Sequence, residues 1–172
     1  MISSHKVIFP YLSLAADGSA ADKVPTTDEL PPWLPDDAPA PLPGTEISTI
    51  HFYINDNNEA VVYDPETTIV PYTSVRGKNG TATIYWTMKN QVFWSVTSVT
   101  KAYMLFSGNI TSNQGGSYGV GDVGGAGYVS GTKSIPSYAG RTTTVTLNGF
   151  MIDAWGISFT LPGVSSSYYR SK

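Results

Sequence analysis

The 172-residue sequence predicts an all-β protein, an antiparallel β-sandwich that follows an extended, proline-rich N-terminal arm. Three observations lead to this fold class. From residue 47 onward, short segments alternate apolar and polar residues, as half-buried strands do. Turn-forming residues separate these segments every ~8 to 12 residues, a spacing typical of sandwiches and barrels. No stretch has the length and period of an amphipathic helix.

The arm covers residues 1–46 and differs from the rest of the chain in composition. Prolines crowd the stretch from Pro25 to Pro43, where they remove backbone donors and hold the preceding residues extended. The arm has seven acidic and two basic residues, a net charge of -5, whereas the remaining residues have six acidic and eight basic ones, +2. These opposite charges favour contact between arm and domain.

A proline-rich arm has no core of its own, so it is ordered only when it lies on another surface. We expect it to dock on its own domain or on a neighbouring subunit, with Trp33, Leu34, Pro35 and Leu42 as anchors. The prolines lower the entropy cost of docking. Deletion of residues 1–44 is expected to leave a folded β domain that no longer assembles.

The strands of the β domain, residues 47–172, are predicted from alternation and turn signals. Ile50, Phe52 and Ile54 share one face of the first strand, and the polar turn NDNNE after it predicts a hairpin with AVVYD. Pro71 makes the next candidate an edge or bulged strand. The further predictions are TATIYWTM with Ile84, Trp86 and Met88 on one face, two strands in 91–112 (Val92, Trp94, Val96, then Ala102, Met104, Phe106), YVSGTKSIP, a run from 141 to 163 divided at Asn148-Gly149, and a Ser/Tyr-rich tail.

The glycine-rich stretch 115–127 contains GVGDVG, which matches the G-x-G-x-x-G pattern of a dinucleotide-binding turn. That turn needs a strand before it and a helix after it, to hold a pyrophosphate at the helix N-terminus. Neither is predicted here, so no cofactor site is expected. We interpret the stretch instead as a long loop between two strands, which contacts a neighbour through Tyr118, Asp122 and Tyr128.

No catalytic or metal site is predicted. The chain has no cysteine, and its single GGxGxDx-like copy and its NDNNE turn lack the repeats, glycine and distal glutamate of calcium loops. No serine is marked out as a nucleophile beside His51 and Asp56. Asp64 precedes a proline in a turn signature. Asp153, which alternates with Met151, is the carboxylate that would first merit attention in an enzyme.

Charge and hydropathy exclude two further classes of partner. The net charge of -3 argues against binding of nucleic acid through a basic patch. No apolar run approaches the ~18 residues of a membrane span. Near the N-terminus, a single lysine and a short apolar stretch broken by Pro10 do not make a secretion signal, so we expect an unprocessed chain.

Aromatic residues leave glycan binding open as an alternative. Exposed rings stack on sugars, but sheet cores and subunit interfaces use the same residues. The candidate rings are Tyr85, Trp86, Phe93, Trp94, Tyr118, Tyr128 and Trp155.

The segment KSIPSYAGRTTTVTL resembles immunoglobulin-like β-sandwich domains of phage virion proteins and bacterial surface proteins. The matching residues are Pro136, Gly140, Val145, Thr146 and Leu147, within a region from about residue 92 to 163. The resemblance implies an immunoglobulin-like or jelly-roll-like sandwich with a structural or adhesive role, and it transfers no catalytic residue.

The whole chain is similar in style to small virion structural proteins. We therefore expect a non-enzymatic subunit of a multi-subunit assembly, a phage or virus particle, of the capsid, decoration or fibre type. Its partners would be other copies of itself and other structural subunits, and its location the virion. The alternative is a glycan-binding or adhesion module at a cell surface, with exposed Tyr and Trp as its site.

Overall fold

A computed structural model describes residues 30–55, 57, 59–66, 79–98, 104–125, 127–153, 156 and 158–172. These residues form nine β-strands and no helix, which confirms the all-β class. The strands are β1 (Ser48–Ile54), β2 (Ala60–Tyr63), β3 (Asn79–Met88), β4 (Gln91–Ser98), β5 (Met104–Ser112), β6 (Ser117–Gly124), β7 (Tyr128–Ser134), β8 (Arg141–Asp153) and β9 (Ser158–Arg170).

The strands make two antiparallel sheets. Sheet A has the order β2-β1-β3-β4-β7, and sheet B has the order β6-β5-β8-β9. The two sheets pack face to face, with β9 beside β3 at one end and β6 beside β7 at the other. The predicted β-sandwich is thus confirmed. The segment that resembles immunoglobulin-like domains covers the end of β7, the connection from sheet A to sheet B and the first half of β8.

The core between the sheets is built from the predicted alternation. Inward side chains of both sheets are almost wholly buried, among them Ile50, Phe52, Ile54, Ile84, Trp86, Val92, Trp94, Val96, Met104, Phe106, Phe159 and Leu161. Met88 is an exception, because it was expected to share the buried face of Ile84 and Trp86 but is 62% exposed. A register shift between Trp86 and Met88 turns it outward. Ala102 and the Pro71 strand candidate lie outside the described residues.

The predicted break at Asn148-Gly149 is wrong, because β8 runs through it from Arg141 to Asp153. A bulge between Leu147 and Gly149 absorbs the irregularity. Gly149 pairs with Gly108, and the ring of Phe106 lies over both. A Cβ atom at Gly149 would come within 2.6 Å of that ring, so glycine here serves close packing within a continuous strand.

The Ser/Tyr-rich C-terminal residues are also strand, not tail. β9 continues past Pro162 to Arg170, where the Arg170 guanidinium donates to the Ser137 carbonyl at 2.9 Å. Val164 and Ser166 are buried against β8, while Ser165 and Ser167 face outward. Exposed and buried residues therefore alternate here, which is the period of a strand with one face in solvent.

The turn between β1 and β2 has the chemistry that its sequence predicts. The Asn55 side-chain oxygen accepts the backbone N–H groups of Asn57 and Glu59, and β1 pairs with β2 as a hairpin. Asp64 also acts in a turn, because its carboxylate accepts the Glu66 N–H at 2.9 Å.

Candidate interaction surfaces

The first surface is the outer face of sheet A, which the proline-rich segment 30–47 covers. Leu34 and Ala38 are buried there against Tyr85 on β3 and Phe93 on β4. The Tyr85 and Phe93 rings lie 5.2 Å apart between centroids, as cross-strand partners. The segment therefore covers the Tyr85 and Phe93 rings, which would otherwise face water.

Hydrogen bonds fix this segment in place. The Tyr85 hydroxyl donates to the Pro39 carbonyl at 2.7 Å, and the Leu42 N–H donates to the Trp86 carbonyl at 2.6 Å. Burial raises the pKa of the Tyr85 phenol well above its ordinary value, so the phenol stays a donor at every physiological pH. Leu42 itself packs against the main core.

An aromatic row extends this covered surface toward β2. The Trp33 and His51 rings form a T-shaped pair 5.1 Å apart between centroids, and the His51 and Tyr63 centroids lie 6.0 Å apart. Burial lowers the pKa of His51 below 6.5, although the Asp64 carboxylate opposes that shift. Pro35 lies in the same segment, where its carbonyl accepts the Ala38 N–H at 2.9 Å.

Three of the four predicted arm anchors thus contact the chain's own domain, two of them on the outer face of sheet A and the third at the main core. Trp33, Leu34 and Leu42 all contact sheet A or the core beneath it. The receiving residues Tyr85 and Phe93 were not predicted as such. A sequence signal for them exists, since TIYW and VFW are apolar on both faces, as strands covered on both sides are.

The glycine-rich stretch is a strand instead of the predicted loop. SYGVGDVG forms β6 at the edge of sheet B and pairs with β5 along its whole length. Tyr118 packs partly against the main core, Tyr128 lies on β7 with 39% of its surface exposed, and the exposed Asp122 carboxylate accepts the Val123 N–H. Tyr118 and Asp122 thus lie on the edge strand β6 of sheet B, and Tyr128 lies on β7, the strand of sheet A beside it. Their contact with a neighbour stays a prediction.

The second surface is the outer face of sheet B, where the described side chains are all uncharged. It is formed by every second residue of the four strands and faces solvent or is half-exposed. Its members are Leu105, Ser107, Asn109, Thr111, Ser117, Gly119, Gly121, Val123, Thr142, Thr144, Thr146, Asn148, Phe150, Ile152, Ser158, Thr160, Gly163, Ser165, Ser167 and Tyr169.

Hydroxyl and amide groups on this face bond across the strands. Thr146 and Ser165 hydroxyls lie 2.7 Å apart, Thr144 and Ser167 hydroxyls lie 2.8 Å apart, and the Asn109 amide donates to the Ser117 hydroxyl at 2.8 Å. Such cross-strand pairs stabilise the sheet and hold the side chains in a flat, ordered array.

Few of the predicted glycan-stacking rings are open to solvent. Tyr85, Trp86, Phe93 and Trp94 are buried, two of them in the core and two beneath the arm segment. Trp155 lies outside the described residues.

The candidate catalytic residues do not come together at a site in the part of the chain that the structure describes. His51 lies beneath Trp33, Asp64 serves its turn, and Asp56 and the side chain of Asp153 lie outside the described residues. No group of three or more His, Cys, Asp or Glu that could hold a metal ion occurs among the described residues.

No family model, curated protein or solved structure matches this chain. Within the described ranges, no helix has the length and apolar character needed to cross a membrane.

Proposed function

We propose that this protein is a non-enzymatic structural subunit of a multi-subunit assembly, a phage or virus particle, in which the N-terminal arm binds a neighbouring subunit. The observation that carries the proposal is the seat of segment 30–47 on sheet A. Leu34 and Ala38 are buried there and Leu30 packs beside them, so the described part of the arm is attached to sheet A.

The preceding sequence has the composition of a binding segment. Val7–Ala16 is ten residues without a charge, and only Ser13 among them is a polar hydroxyl residue besides Tyr11. Thirteen residues, 17–29, separate this segment from Leu30. Fully extended, thirteen residues would span about 43 Å at about 3.3 Å per residue. A linker of that length would let the apolar segment contact a second subunit.

The overall composition also supports a subunit that is packed among others. Charged residues make up 13% of the chain, against roughly 25% in ordinary soluble domains. Interface cores are depleted in charge in the same way. The resemblance to virion β-sandwich domains favours a capsid, decoration or fibre role.

Truncation after residue 29 tests this proposal more cleanly than truncation after residue 44. The longer deletion would remove Leu34 and Ala38 and expose Tyr85 and Phe93, so a folded, soluble product is no longer expected from it. The shorter deletion keeps the whole covered surface. We expect it to retain the urea midpoint of the full chain but to form fewer assemblies in sedimentation velocity and electron microscopy.

Point variants separate the apolar segment from the length of the arm. In the full chain, Leu12→Asp with Leu14→Asp should reduce assembly as the deletion does. Ala20→Asp with Ala21→Asp adds the same charge outside Val7–Ala16 and should leave assembly unchanged. Equal assembly by the full chain and the chain lacking residues 1–29 would contradict the role of the arm.

A further inference from the structure

The outer face of sheet B has the chemistry of an interface and no cover from the described part of the chain. A solvent-facing sheet normally carries charged side chains, but the outward side chains described on β5, β6, β8 and β9 include none. The core of a protein interface is depleted in charge in this way. Among the described residues, charges lie for example at Lys89, in the turn between β3 and β4, and at Lys133 on β7 of sheet A.

One end of this face is apolar. Val123, Leu105 and Ile152 form a row across β6, β5 and β8, and Phe150 lies in the next row. Val123 is 46% exposed and Phe150 is 41% exposed. Adjacent apolar side chains in such a group mark a contact surface, whereas single ones do not.

The rest of the face is self-complementary. Thr, Ser and Asn side chains each donate and accept hydrogen bonds, so a face made of them needs no partner of opposite charge. Two copies of a chain with net charge -3 can approach through this face without bringing like charges together. A two-fold interface requires this property, since it places the same patch on both sides.

The size of the face also suits a dimer. Strands about 4.8 Å apart and residues about 3.4 Å apart give a four-stranded face of roughly 600 Å² before side-chain relief is counted. A standard interface buries about 800 Å² on each partner, so the whole face is of the required order. Small Ser, Thr and Gly side chains allow the close approach of two sheets.

We propose that the outer face of sheet B is the contact between two copies of this chain, which pack sheet B against sheet B. The inference deepens the proposed function, because it names a partner and a surface for the assembly. It rests on the same premise of a multi-subunit state but uses none of the arm residues.

A charge placed at the centre of the face tests the inference. Thr146 faces outward on the central strand β8, so Thr146→Lys adds a charge without entering the core. Thr132→Lys is its matched control, on the outer side of sheet A at the edge strand β7. In sedimentation velocity over a wide range of concentration, we expect the full chain and T132K to dimerise. T146K should raise the dimer dissociation constant roughly tenfold or more, because the lysine would be buried unpaired.

Phe150→Ser provides a second variant should T146K fail to fold by circular dichroism, and it too should weaken the dimer. Equal dimerisation of T146K, F150S and T132K would overturn the inference, as would a full chain that stays monomeric at every concentration. The variants at Leu12 and Leu14 act on arm-dependent assembly alone. If the Leu12 and Leu14 variant assembles like the full chain while T146K still weakens the dimer, the proposed role of the arm is refuted and the face-to-face dimer is retained.

Discussion

The two outer faces of the sandwich differ in whether described residues of the chain cover them. The outer face of sheet A carries an apolar pair, Tyr85 and Phe93, and the chain covers it with its own segment 30–47. The outer face of sheet B carries hydroxyl and amide groups and has no such cover from the described residues. The comparison teaches that the aromatic pair on sheet A is covered within the chain, whereas the uncharged face of sheet B, with its apolar end at Val123 and Phe150, has no cover from the described residues.

The chemistry of each face explains this division. An open aromatic pair would promote non-specific association, and prolines let an extended segment cover it at low entropic cost. In the single chain, water can form hydrogen bonds with the hydroxyl and amide groups of this face, so the face can stay exposed to solvent. Without charges, it also sets no electrostatic barrier against a second copy, so it suits a specific and reversible contact.

The largest effect separating the two faces is expected from truncation of an apolar side chain on each. Leu34→Ala removes the buried anchor over Tyr85 and should lower the free energy of unfolding by about 2 to 3 kcal/mol. Val123→Ala changes the half-exposed residue of sheet B and should cost less than about 0.5 kcal/mol in the monomer. Urea denaturation at low protein concentration measures both. Equal losses would show that the two faces do not differ in cover.

A smaller effect is expected from the hydrogen bond that holds the arm segment. Tyr85→Phe keeps the ring but removes the donor to the Pro39 carbonyl, which should cost about 1 kcal/mol. Tyr138, which is 51% exposed, provides the control, since Tyr138→Phe should change stability little. A Y85F protein as stable as the parent would contradict the docked position of segment 30–47.

The smallest effect concerns pH at the aromatic row. Burial under Trp33 and beside Tyr63 lowers the pKa of His51, although Asp64 opposes the shift, so the unfolded chain binds the proton more readily than the folded one. Stability should therefore decrease as pH falls below about 6.5, and it should level off below the folded pKa.

Urea midpoints at successive pH values measure this dependence. His51→Gln should flatten the decrease, while His5→Gln, at the other histidine of the chain, should retain it. A decrease that persists unchanged in H51Q would show that other groups cause the pH dependence and that protonation of His51 does not.

Much of the core could be predicted from sequence, because alternation alone marks Ile50, Phe52 and Ile54 as one buried face. The strand β6 could not, since glycines give no alternation and the strand exists through pairing with β5. The residues that the arm contacts could not be predicted from sequence either. Trp33 and Leu34 are visible as apolar residues, but their contact with His51 and Tyr85 depends on long-range sheet order.

The central claim, that sheet B meets sheet B of a second copy, is tested most directly by a distance between copies. The chain has no cysteine, so Ser107→Cys on the outer face of β5 gives a single attachment site for a spin label. Ser134→Cys on the exposed side of β7 is the matched control. We predict strong dipolar coupling between copies labelled at residue 107 and weak coupling at residue 134. Weak coupling at residue 107, or equal coupling at both positions, would contradict the face-to-face arrangement.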